Sequence, residues 1–131
     1  MLHVVVLTVG NDPVLLDTRS QVLRSAGYTV VSARSIKQAT VTFVEGDFDL
    51  VVLCHSISEE DRQRFAVFIR ERTLRTPVVF VASSLGQRDP SADVTIQNDP
   101  DDLIAGLRTA LTRNREWLDD RQSQGLKRPQ I

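Results

Sequence analysis

Five short runs rich in β-branched residues alternate with stretches whose apolar residues recur at helical spacing, and few folds accept that order. The first run, Val4-Val5-Val6-Leu7-Thr8-Val9, is continuous with no polar alternation, as suits a strand covered on both faces. Gly10-Asn11-Asp12-Pro13 stops it. Asn11 or Asp12 can N-cap a helix that has Pro13 in its first turn. Leu15, Leu16, Val22, Leu23 and Ala26 then supply an inner face, and Gly27 suits the left-handed residue that ends a helix.

The same alternation continues. Residues 28–32 read as a second strand, followed by a helix capped by Ser35, with Ile36, Ala39, Thr40, Phe43 and Val44 inward and Gly46 at its end. Residues 49–53 form a third buried strand. Ser58 and Asp61 resemble a capping box for a third helix with Phe65, Phe68 and Ile69 inward. Residues 77–81 are a fourth strand, 83–92 a loop rich in Ser, Gly, Asp and Pro, and 93–96 a short fifth strand. Asp99 caps the last helix, with Pro100 at its first position, Asp101 and Asp102 on its positive end, and Leu103, Ile104, Leu107, Ala110 and Leu111 as its buried stripe.

Strands alternating with helices imply a parallel sheet with right-handed crossovers. The expected architecture is α/β, a flavodoxin-like doubly wound five-stranded sheet in the order 2-1-3-4-5. Ligand crevices in such sheets lie at the carboxyl ends of strands one and three, here Gly10-Asn11-Asp12 and Cys54-His55-Ser56. The segment between the fourth and fifth strands has no room for a mean helix of about 11 residues. The fourth helix of this fold is therefore expected to be shortened or missing. Residues 1–118 make one domain and 119–131 a partly disordered tail.

Composition excludes several classes. A single cysteine rules out an internal disulfide scaffold, and 131 residues suffice for an ordinary apolar core. The formal net charge of −1 gives no global field for nucleic acid. No run approaches the roughly 20 apolar residues of a membrane span, and the apolar N-terminus lacks a basic n-region. A cytoplasmic location with the thiol reduced is expected.

Several segments resemble the response-regulator receiver domain, the CheY-like family. They are Val6-Leu7-Thr8-Val9-Gly10-Asn11-Asp12-Pro13, Ala26-Gly27-Tyr28-Thr29-Val30, Asp49-Leu50-Val51-Val52-Leu53, Pro77-Val78-Val79-Phe80-Val81 and Asp99-Pro100-Asp101-Asp102-Leu103. The resemblance covers about residues 3 to 112, and its specificity lies in the order and spacing of the pieces. It implies phosphoryl transfer from a histidine kinase to an aspartate, with Mg²⁺ bound by neighbouring carboxylates. The catalytic positions depart from that pattern. The acidic pair falls on Gly10 and Asn11, with Asp12 one place further on, and the phosphoacceptor falls on Cys54. The switch Thr or Ser falls on Ala82 and the Lys on Ile96, and no Lys occurs between Lys37 and Lys127.

The expectation is a degenerate receiver: a pseudo-receiver of a bacterial two-component-type system, acting by protein contacts, with no enzymatic activity, cofactor or metal. The alternatives are an atypical active phosphorelay receiver and a thiol sensor built on Cys54. A packed, inert Cys54 is favoured, because free Cys is commonly buried and no Lys or Arg stands near it in sequence. Arg62, Arg64, Arg70, Arg72 and Arg75 are interleaved with acids and read as a solvated, salt-bridged face. Leu103, Leu107, Leu111, Trp117 and Leu118 are assigned as an interaction face, with a homodimer through strand five and the last helix. The other expected partner is a protein of unknown identity; nucleic acid and membrane are excluded.

Overall fold

The computed structural model describes residues 4–83, 87–97 and 99–112. Along the chain lie β1 (Val5–Val9), α1 (Pro13–Ser25), β2 (Thr29–Ala33), α2 (Ile36–Glu45), β3 (Leu50–Cys54), α3 (Glu59–Arg72), β4 (Val78–Val81) and β5 (Val94–Ile96). A fourth helix, α4, covers 100–112. The strands pair in parallel in the order β2-β1-β3-β4-β5, as the sequence predicts. Among the described residues no helix lies between β4 and β5.

The turns form where their chemistry places them. Asp12 caps α1, accepting from the N–H groups of Val14 at 3.0 Å and Leu15 at 3.3 Å, with Pro13 at the first helical position. Ser35 and Ser58 cap α2 and α3 in the same way, through the N–H groups of Gln38 and Asp61. Asp99 caps α4 through the Asp101 N–H. Gly27, at φ +100°, turns the chain from α1 into β2, a backbone region that L side chains rarely adopt.

Side chains alternate between the two sheet faces. Val6, Val30, Leu50, Val52, Val79, Val81 and Ile96 face Leu23 of α1 and Leu103, Leu107 and Ala110 of α4. Leu7, Val9, Ala33, Val51, Leu53 and Val78 face Ala39 and Phe43 of α2 and Phe65 and Ile69 of α3. Phe43, Phe48, Phe65 and Phe68 form one aromatic cluster on that second face, with centroids 6.1 to 6.4 Å apart. Beneath α1, Thr8, Ser20 and Ser32 satisfy one another's hydroxyls at 2.9 to 3.3 Å, so β1, β2 and α1 meet through a polar contact.

Two aspartates clamp strand starts. Asp49 exchanges bonds with Val5: its N–H donates to the Val5 carbonyl, and its Oδ2 accepts from the Val5 N–H, both at 2.8 Å. Asp93 does the same with Val78 at 2.7 Å.

Arg62 and a short loop cover β4 at Phe80. The Arg62 guanidinium lies over the Phe80 ring, 4.3 Å from its centroid, and pairs with Asp89. Arg62 is only 5% exposed, which corrects its reading as part of a solvated face. The rest of that arginine cluster is more exposed: Arg64 pairs with Glu60, Arg70 with Asp93, and Arg72 stacks over Phe68.

Candidate functional site

The carboxyl ends of β1 and β3 lie side by side because Val6 to Val9 pair with Leu50 to Leu53 in register. The chain then leaves β1 at Gly10 and β3 after Cys54. Gly10 is buried, donates its N–H to the Ala33 carbonyl, and lets the Cys54 side chain approach closely. A Cβ on Gly10 would stand 3.3 Å from both Cβ and Sγ of Cys54. The next residue, Asn11, is exposed and donates its N–H to the Ser56 hydroxyl at 2.9 Å, tying the two loops together. Asp12 spends its carboxylate on the N-terminus of α1.

Cys54 is 1% exposed. It shares the sheet face of Leu50 and Val52, which is the face that α1 covers. Burial pushes its thiol up; the charge of the Arg19 guanidinium opposes that without reversing it. The neutral thiol is therefore the resting form at neutral pH. His55 is half-buried in the following turn, and burial together with the charges of Arg19 and Arg62 holds its imidazole below the usual range against the pull of Asp12.

Arg19 is the residue that sequence reasoning missed. It is 5% exposed, on the inner stripe of α1 with Leu16, Ser20 and Leu23. The signal was present: an Arg three residues after Leu16 and four before Leu23 lies on the apolar face of the helix. The statement that no cation stands near Cys54 holds along the chain and fails in space. Arg19 also lines a crevice of about 90 Å³ with Thr18, Val81, Gln97, Asp99 and Leu103.

Ala82 and Ile96 complete the family's positions. Ala82 is fully buried and donates its N–H to the Ile96 carbonyl at 2.9 Å. Ile96 is 6% exposed and packs on α4 at Gly106. Ser83, next along the chain, donates both its N–H and its Oγ to Gln87 Oε1.

The donor set is poor for a hard cation. Such an ion needs several oxygen ligands. The oxygens at hand are the Asp12 carboxylate, already used by two helix N–H groups, the Asn11 amide and the Ser56 hydroxyl. Among the described residues no group of three or more His, Cys, Asp or Glu is placed to hold a metal ion.

The assigned interaction face divides. Leu103 and Leu107, 3% and 0% exposed, are taken up by the chain's own sheet, and half-buried Leu111 packs against the same cluster. Their place in a partner surface is corrected accordingly. Trp117 and Leu118 lie outside the described residues. Among the described residues no helix is long and apolar enough to cross a membrane.

No family model matches the sequence, and no curated protein sequence matches it. Solved structures do. The chain is similar to the signal receiver domain of an HD domain-containing protein from Pseudomonas fluorescens, with TM-score 0.75 and 19% identity, covering 88% of this chain and 99% of that one. It is similar to the chemotaxis response regulator CheY4 of Vibrio cholerae, with TM-score 0.74 and 18% identity over 84% and 100% of the two chains. A third similar structure is the response regulator TrrA of Thermotoga maritima in complex with Mg²⁺-BeF, with TM-score 0.73 and 20% identity over 82% and 99%. The fold is thus that of CheY-like response-regulator receiver domains.

Proposed function

We propose that this chain is a pseudo-receiver, a receiver-fold module that signals through protein contacts without aspartyl phosphorylation and without an enzymatic activity of its own. The observation that carries this reading is the corner formed by Gly10, Cys54 and Arg19. By the resemblance the phosphoacceptor position falls on Cys54; Gly10 lies against its thiol, and the charge of Arg19 acts on it. TrrA has been solved with Mg²⁺-BeF, and also in complex with the histidine kinase ThkA. By that likeness, a two-component signalling protein in the cytoplasm is the proposed partner. The residues here do not suit the cation, since Asp12, the carboxylate nearest in sequence to the receiver's acidic pair, is a helix cap.

The test is incubation with acetyl phosphate and Mg²⁺, read on a phosphate-affinity gel and by intact mass. No adduct is expected. An adduct of one phosphoryl group on an Asp, acid-stable and lost in hydroxylamine, overturns the reading in favour of an atypical active receiver. A thiol sensor is opposed by the burial that keeps Cys54 protonated.

A second copy of the chain is the partner proposed for the β5 side. β5 is an edge strand of three residues, beside a groove that includes Gln87, Arg88, Asp93, Val94 and Thr95. Light scattering at tens of micromolar protein tests this. A monomeric mass for the wild type removes the dimer.

A further inference from the structure

We infer that two copies of this chain join edge to edge along β5, antiparallel about a two-fold axis at Thr95, so that their sheets become one continuous sheet. The inference rests on the second-copy reading of the β5 side and specifies its register. The backbone carries it first. β5 ends the sheet, with β4 as its one neighbour. The Ile96 carbonyl turns inward and accepts from the Ala82 N–H at 2.9 Å. Backbone groups alternate in direction along a strand, so the N–H and C=O of Thr95 turn outward, away from β4. Val94 and Thr95 are half-buried, whereas every residue of β4 is buried. Such an edge is a template for another strand.

The surroundings favour a second copy as the occupant. A groove of about 650 Å³ lies beside the edge, lined in part by Arg88, Asp93, Val94 and Thr95. Among the described residues no helix lies between β4 and β5 to fill it. Its charges are mixed. Arg88 is exposed and forms no ion pair among the described residues, and the Asp93 side chain is 46% exposed. A strand of uniform charge would meet one of these as a like charge. A copy related by a two-fold axis brings both signs to the seam from each side. The axis falls at Thr95 because directly opposed residues of an antiparallel pair exchange both bonds only where their groups point at each other. Asp93 then stands opposite Gln97 of the second copy.

The experiment uses the full chain at tens of micromolar protein. Thr95→Pro removes the outward N–H, and an edge strand accepts Pro where that N–H faces away from its neighbour. The wild type is expected to be a dimer by light scattering, and Thr95→Pro to weaken it at least about tenfold while the far-UV circular dichroism is retained. The second variant is Thr95→Cys with Cys54→Ser, oxidised with copper phenanthroline. Directly opposed residues have Cα atoms about 5.5 Å apart, within disulfide reach, so a covalent dimer is expected. Gln97→Cys with Cys54→Ser is expected to stay uncrosslinked, since its counterpart is offset by four residues, about 13 Å along the strand. A wild-type dimer that survives Thr95→Pro, or that does not cross-link through Thr95→Cys, overturns the inference and leaves the second-copy reading standing. Cross-linking through Gln97→Cys as fast as through Thr95→Cys does the same. If Thr95→Pro unfolds, the two cysteine variants decide. A monomeric wild type overturns the second-copy reading and this inference with it.

Discussion

Arg62 Nε donates to Asp89 Oδ2 at 2.7 Å, with the two side chains 6% and 0% exposed, so an ion pair 27 residues apart in sequence is buried over β4. The pair does not stand alone. Arg62 also donates to the Ile57 carbonyl and lies over Phe80, while Asp89 accepts from the N–H and hydroxyl of Ser91. Both oxygens of the carboxylate are thus engaged. The pair thus ties α3 to the loop that precedes β5.

Breaking the pair from one side strands a buried charge. Asp89→Ala is expected to cost about 3–5 kcal/mol, since Arg62 loses its counter-ion without gaining water. Arg62→Met/Asp89→Ala removes both charges and keeps an apolar cover on Phe80, so it is expected to cost less than Asp89→Ala alone. Urea unfolding of the three proteins checks the order. A double variant weaker than the single one would mean that the pair is not what anchors the loop.

Stability is expected to fall toward acid in two stages. His55 is held below its usual value near 6.5, first by burial and then by Arg19 and Arg62. The unfolded chain therefore takes up a proton there before the folded chain does, and stability declines as pH drops from about 6.5 through the lower folded value. For Asp89, burial works upward, but the bonds from Ser91 and Arg62 outweigh it and hold the carboxyl below the usual 3.8. Its contribution is full above that value and is lost as pH falls through the folded one. Urea midpoints across this range test both stages. In His55→Gln the first decline should vanish and the second remain.

Gly106 admits no side chain. A Cβ there would stand 2.0 Å from Ile96 Cγ2. Helix propensity favours Ala over Gly by about 1 kcal/mol, yet Gly106→Ala is expected to destabilise by about 1–3 kcal/mol because the contact must open. Ile96→Ala removes the clashing methyl and leaves a cavity. Gly106→Ala/Ile96→Ala should therefore be more stable than the sum of the single effects predicts. Strict additivity in the thermal midpoints would separate the two residues.

Cys54 is expected to react slowly in the native state. It is packed against Gly10 and held as the neutral thiol, so a thiol reagent meets neither access nor thiolate. Labelling at neutral pH should be about a hundredfold slower than in urea, limited by opening of the fold. A native rate close to the unfolded one would return Cys54 to the list of sensors.

Much of the fold is legible along the chain. The β-branched runs mark all five strands to within a residue or so, because a parallel sheet buried on both faces admits little else. Asp12-Pro13, Ser35, Ser58 and Asp99-Pro100 mark where the helices begin, because caps satisfy backbone groups within a few residues. The strand order follows from connectivity, and the site positions from the strand ends.

The sequence by itself determined the alternation of elements, their starts, the sheet order and the residues at the receiver positions. Each depends on neighbours close in the chain or on rules of connection. The tertiary structure alone decided which charged side chains go inside. The helical spacing places Arg19 on the inner stripe of α1, but Arg62 looks like the other arginines of its cluster until α3 is laid over β4. The partner of Arg62, Asp89, stands 27 positions away. A buried charge is tolerated only where distant groups meet it with hydrogen bonds, and no local pattern records that meeting.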